Sequence, residues 1–113
     1  MEYEEDTHNL HLLLYHIIFC PKRRRKFLVG PLQERLHQII REVAGENNWK
    51  VLELTIQPDY VHLFVRSNPR TLPADIARLV KGRSSHLLRE GYPSLKKMPS
   101  FVLDQKYILL NSK

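Results

Sequence analysis

Hydrophobic and polar positions along this chain follow two rhythms, one of period two and one close to 3.6. From Asn9 to Cys20 the residues are dense in Leu, Ile, Tyr and Phe, and after Pro21 the cationic run Lys22 to Lys26 begins. That block reads as a buried strand leaving into a charged loop. Gly30 and Pro31 then mark a helix start; Leu32, Leu36, Ile39, Ile40 and Val43 recur at helical spacing until Gly45 and the Asn47, Asn48 pair stop it. Lys50 to Gln57 alternates, with Val51, the Leu54 region and Ile56 apolar; Pro58 and Asp59 turn the chain, and Tyr60 to Arg66 completes a β-hairpin. Pro73 sits where a first helical turn tolerates it, and Ile76, Leu79, Val80, Leu87 and Leu88 predict a second amphipathic helix ending near Gly91. Pro93 and Pro99 punctuate a loop, and Lys106 to Leu110 forms a last strand.

The predicted order is β, α, β, β, α, β. It is the split pattern of an α+β, ferredoxin-like sandwich, in which an antiparallel sheet carries two helices on one face and leaves the other available. At 113 residues the chain is long enough for one core and short for two, so residues 1–113 read as a single domain. No internal repeat, linker or low-complexity segment interrupts it. The superfold alone does not give function, because it hosts enzymes, RNA binders and small-molecule sensors alike.

Charge narrows the partners. Eighteen Lys and Arg against twelve Asp and Glu leave a formal charge of +6, which favours polyanions and nucleic acid first. Cys20 is the single cysteine, so neither an intrachain disulfide nor a cysteine-based metal site can form. The longest apolar stretch, about Leu12 to Cys20, falls far short of the roughly 20 residues of a membrane span. A cytoplasmic protein, neither secreted nor membrane-embedded, is the expectation.

Four features in register narrow the class further: Tyr15 to Lys26 (YHIIFCPKRRRK), Gln57 to Val65 (QPDYVHLFV), Leu79 to Ser85 (LVKGRSS), and the element order around them. Together they span most of the chain. It resembles the single-tyrosine HUH transposases of the insertion-sequence 200 and 605 group, whose hallmark reads Pro-Asp-His-hydrophobic-His-Leu. Here that segment reads Pro58, Asp59, Tyr60, Val61, His62, Leu63. Two His separated by one strand residue share a sheet face and so can ligate one divalent cation, which the resemblance implies is Mg²⁺ or Mn²⁺. In the family this cation polarises the scissile phosphate, while a tyrosine hydroxyl attacks and keeps the DNA end as a phosphotyrosine.

The sequence departs from that pattern. Tyr60 replaces the first His and leaves His62 as the one member of the pair. Tyrosine ligates poorly at neutral pH, with an unperturbed pKa of about 10. The family carries its nucleophilic tyrosine, with a glutamine about one turn later, on a further helix, and this chain ends at Lys113 before such a helix. Tyr107, in the stretch Phe101 to Ile108, aligns with a strand aromatic and not with the nucleophile. The resemblance therefore implies a C-terminally shortened or degenerate relative.

Each candidate has a plain reading beside the functional one. His62 is a residual metal ligand or a strand histidine satisfied by a backbone carbonyl. Tyr60 is a nucleophile occupying the former histidine position, or a strand aromatic without a base. Lys22, Arg23, Arg24, Arg25 and Lys26 are five consecutive cations that repel one another unless solvent or phosphate screens them, and they are expected to contact DNA. Lys81 and Arg83 flank Gly82 in the second helix, where a glycine costs roughly 1 kcal/mol relative to alanine unless DNA or another element approaches closely. His8, His11 and His16, at spacings of three and five, read as structural or surface residues. Arg66, Arg70 and Arg78 read as a solvated surface, and Trp49 and Tyr92 as core aromatics before base-stacking ones.

The leading expectation is a homodimeric transposase-family protein that recognises single-stranded DNA hairpins near element ends, with strand cleavage weak or absent. A second is a non-catalytic nucleic-acid-binding or regulatory module on the open sheet face. For RNA that reading wants aromatics at adjacent strand centres, and here the second and third strands offer Phe64 but no obvious aromatic signature. A third is a ferredoxin-like assembly or sensor domain.

Overall fold

The structure, a computed structural model, describes residues 13–21, 26–96 and 103–111. Its elements run β1 (Leu14–Pro21), α1 (Gly30–Glu46), β2 (Lys50–Gln57), β3 (Tyr60–Arg66), α2 (Pro73–Gly91), the four-residue α3 (Pro93–Lys96) and β4 (Leu103–Asn111). The hairpin bounds agree with the sequence reading at both ends. Asn9 to Leu12, assigned above to the first strand, lie outside the described residues. Pro93, placed in a loop by its proline, instead opens the helical turn α3, because proline suits a first helical position.

Four strands form one sheet in the order β2-β3-β1-β4, every neighbouring pair antiparallel. With α1 and α2 packed together on one side, this is the α+β ferredoxin-like arrangement. β1 and β3 are the central strands, and they alternate along β3 and along β1 as far as Phe19: Tyr15, Ile17, Phe19, Val61, Leu63 and Val65 are buried, while the residues between them are half buried. The buried set joins Leu36, Ile39, Ile40 and Val43 of α1 and Ile76, Val80 and Leu88 of α2 in one core. Trp49 belongs to that core, 5% exposed, with its indole N–H directed at Thr71 Oγ1. Core packing is thus its role, as the sequence reading favoured; Tyr92 packs partly buried against the same cluster.

Local chemistry sets the helix ends. Gly30 opens α1 at φ +59°, in the left-handed region that glycine enters without steric cost, and Pro31 follows it. At the other end the Asn47 side chain donates to the Val43 carbonyl at 2.8 Å, and Asn48 adopts φ 60°. Asparagine tolerates that region better than most side chains, so the chain reverses there and delivers Trp49 to the core. α2 begins with the Leu72 N–H bonded to the Asp75 carboxylate at 3.1 Å. That carboxylate satisfies an otherwise unpaired donor and suits the positive end of the helix dipole.

Candidate nucleic-acid interface

The helices cover one sheet face. Strand periodicity and register assemble the other: Tyr60, His62, Phe64 and Arg66 alternate along β3, while Phe64 pairs with His16 and His62 with Ile18 of β1. On the β2 side Lys50 pairs with Arg66, Glu53 with Phe64 and Thr55 with His62. A bulge between Val51 and Glu53 inserts Leu52 and restores the alternation beyond it. Backbone register also pairs Ile18 with Tyr107 of β4, in keeping with a strand position for Tyr107.

At the centre of this face three rings form a continuous row. His16 stacks on Phe64 with centroids 4.0 Å apart and planes 10° from parallel. His16 Nδ1 also lies 3.0 Å from His62 Nε2. The two imidazole centroids are 5.2 Å apart with an interplanar angle of 11°. Nearly all of that separation is the nitrogen contact plus the two ring radii, so the rings meet end to end in a shared plane. The plain reading of His62 expected a backbone carbonyl as its partner; its partner is a second imidazole.

This geometry tests the implied metal. A cation bound by both nitrogens at about 2.0–2.1 Å each would need converging lone pairs. Here they face one another head on, and a 3.0 Å gap along the line admits a proton and no metal ion. Among the described residues, no group of three or more His, Cys, Asp or Glu is placed to hold a metal. The arrangement present therefore does not fit a shared divalent ion. Tyr60, two residues from His62 on the same face, is half buried at the start of β3.

The basic candidates separate. Lys22, Arg23, Arg24 and Arg25 lie outside the described residues, and Lys26, just after them, is exposed. Lys81 is half buried on α2. Arg83 does not stand as a free cation: its guanidinium grips Glu46 at the end of α1 in two bonds, 2.6 and 3.1 Å. The Arg83 hydrogen bond, more than its charge, holds the Glu46 carboxyl below the usual carboxylate range, and Glu46 in turn raises Arg83. Arg83 thus ties two helices together. Ser84, next to Arg83 on α2, is fully buried. A Cβ built at Gly82 would meet nothing within 4 Å, so no other described element explains that glycine.

Comparison with known proteins decides the family. A profile described as "Transposase IS200 like" matches residues 9–111. This chain belongs to the IS200-like transposase family. It is similar to the ISDra2 transposase TnpA of Deinococcus radiodurans, 32% identical over 96 residues, covering 85% of this chain and 69% of that one. It is 30% identical over 82 residues to the IS200 transposase of Salmonella typhimurium, covering 73% of this chain and 54% of that one. The chain thus spans about half the length of the Salmonella protein. Among solved structures, one assigned as a transposase from Deinococcus radiodurans R1 superposes with a TM-score of 0.79 at 28% identity, covering 92% of this chain and 81% of that one. The structure of a REP-associated tyrosine transposase bound to a REP hairpin superposes at 0.63 and 11% identity, covering 92% of this chain and 58% of that one, a likeness of fold.

For this family member, sequence reasoning missed two things. The spacing of His16 from His8 and His11 is not that of a shared face, yet its partner is 46 residues away on another strand. The same register sets His16 of the first strand beside Phe64. Placing the half-buried alternation of β1 beside that of β3 was the available signal.

Proposed function

We propose that this IS200-like transposase chain binds single-stranded DNA, in the form of imperfect hairpins near element ends, through its open sheet face and the Lys22–Lys26 run. The observation that carries the reading is the ring row Phe64–His16–His62 on a sheet face bordered by Lys50 and Arg66. Stacking surfaces beside cations are what unpaired nucleotides require, whereas a duplex hides its base faces. The hairpin bound to the structurally similar REP-associated transposase is consistent with this ligand class. The protein acts as a homodimer in this reading, as the family resemblance implies.

Strand cleavage and rejoining through tyrosine is weak or absent in the same reading. Tyr60 occupies the first hallmark position, and the one remaining hallmark imidazole, His62, is engaged by His16. Mg²⁺ or Mn²⁺ at His62 Nε2 would require His16 to turn away first.

Fluorescence-anisotropy titration of hairpins from DNA flanking the gene, against duplexes of the same length over a salt series, tests the proposal. Hairpins should bind more tightly with a steep salt slope, and replacing Arg24 and Arg25 with Gln should flatten it by about 0.7 per lost phosphate contact. Equal affinity for duplex and hairpin at low salt would contradict it. Incubating 5′-labelled hairpin with Mg²⁺ and resolving products on a denaturing gel tests the second part: efficient nicking with a covalent protein–DNA adduct would overturn the impairment.

A further inference from the structure

We infer that the open face seats one unpaired nucleobase against the Phe64–His16 stack, with the adjoining phosphate held by Lys50 and Arg66. This deepens the single-stranded-DNA reading and rests on it. Phe64 and His16 are register partners on the two central strands, half buried and stacked at 4.0 Å. Two rings already parallel present an ordered π-surface to which a base adds without reorganising the protein, so little side-chain entropy is lost on binding.

The neighbouring charges supply the second half. Lys50 and Arg66 pair directly across β2 and β3, and Arg66 lies two residues along the strand from Phe64, on the same face. Like charges directly opposite one another destabilise a sheet, and among the described residues neither cation forms an ion pair. A phosphate between them removes that repulsion and gains two charge-assisted contacts. Glu53, the exposed register partner of Phe64, fixes the polarity of the site. Its carboxylate repels a phosphate at the ring end and favours one at the Lys50–Arg66 end, leaving the base for the rings.

The ligand is thus a nucleotide within a single strand, recognised by its π-face and one phosphate. The test uses a fluorescein-labelled oligothymidylate 12-mer and an abasic 12-mer of equal charge, titrated by anisotropy into the full chain. Wild type should bind the thymidylate on the order of tenfold more tightly than the abasic strand, the size expected for stacking a base. Phe64→Leu, which keeps an apolar side chain outside the core, should bring the two affinities together. Arg66→Gln should weaken both strands alike and lower the salt slope by about one contact. Equal binding of the thymidylate and abasic strands by wild type, or an undiminished preference in Phe64→Leu, would overturn the site and leave the single-stranded-DNA reading standing. Failure of wild type to bind the thymidylate more tightly than a duplex would overturn both.

Discussion

His16 and His62 share one hydrogen bond between their ring nitrogens, at 3.0 Å, across two strands whose pairing brings together residues 46 apart in sequence. The bond fixes more than distance. If His16 Nδ1 donates, His62 Nε2 must accept and its proton sits on Nδ1; if His62 Nε2 donates, His16 carries its proton on Nε2. In the neutral pair both rings therefore adopt the same tautomer. Long-range ¹H–¹⁵N spectra of histidine-labelled protein should show either two Nδ1–H or two Nε2–H rings at these positions. One of each would mean that the two rings are not bonded to each other.

The same bond sets the response to metal. Wild type should leave the electron paramagnetic resonance signal of free Mn²⁺ unchanged at one equivalent, because the His62 nitrogen facing His16 is taken. A stoichiometric loss of signal that disappears in His62→Ala would contradict the end-to-end pairing.

The Arg83–Glu46 bridge makes stability pH-dependent with a defined sign. The folded carboxyl titrates below its ordinary value of 4.5, so its contribution is present above that value and is lost as pH falls through the lower folded pKa. Thermal melts of wild type and Glu46→Gln should differ at pH 6–7 and draw together as the pH falls below 4.5. Both partners are solvent-facing, so the gap should be small and shrink further in high salt. A difference that grows on acidification would have the wrong sign for this bridge.

Ser84 should tolerate loss of its hydroxyl. It is fully buried on the inward stripe of α2 between Val80 and Leu88, and its Oγ has no hydrogen-bond partner among the described residues. A buried polar atom without a partner costs about 1–3 kcal/mol. Ser84→Ala should therefore leave stability unchanged or raise it by up to about 1 kcal/mol in urea unfolding. A loss of more than about 1 kcal/mol would point to a hydrogen bond that this conformation lacks.

Much of the fold was legible because its signals are local. Pro58 with Asp59, Gly30 with Pro31, and the Asn47, Asn48 pair each act within a few residues, and they set the hairpin and α1 at or within one residue of where they form. The interface was legible only in part because its parts meet through long-range register. No spacing within β1 points to His62, and none within β3 points to His16; the strand order β2-β3-β1-β4 does. Arg83 and Ser84 show the converse. A basic, serine-containing stretch looks solvent-facing in sequence, but helical phase turns Ser84 inward and brings Arg83 within reach of Glu46.

The most direct test of the central claim, that the open sheet face binds unpaired DNA, is a ¹H–¹⁵N correlation titration with a single-stranded hairpin. Shifts should concentrate on His16, His62, Phe64, Lys50 and Arg66, while the outer face of α1, including Arg41 and Gln38, stays unmoved. Shifts confined to the helical face, or none at saturating hairpin, would contradict the account.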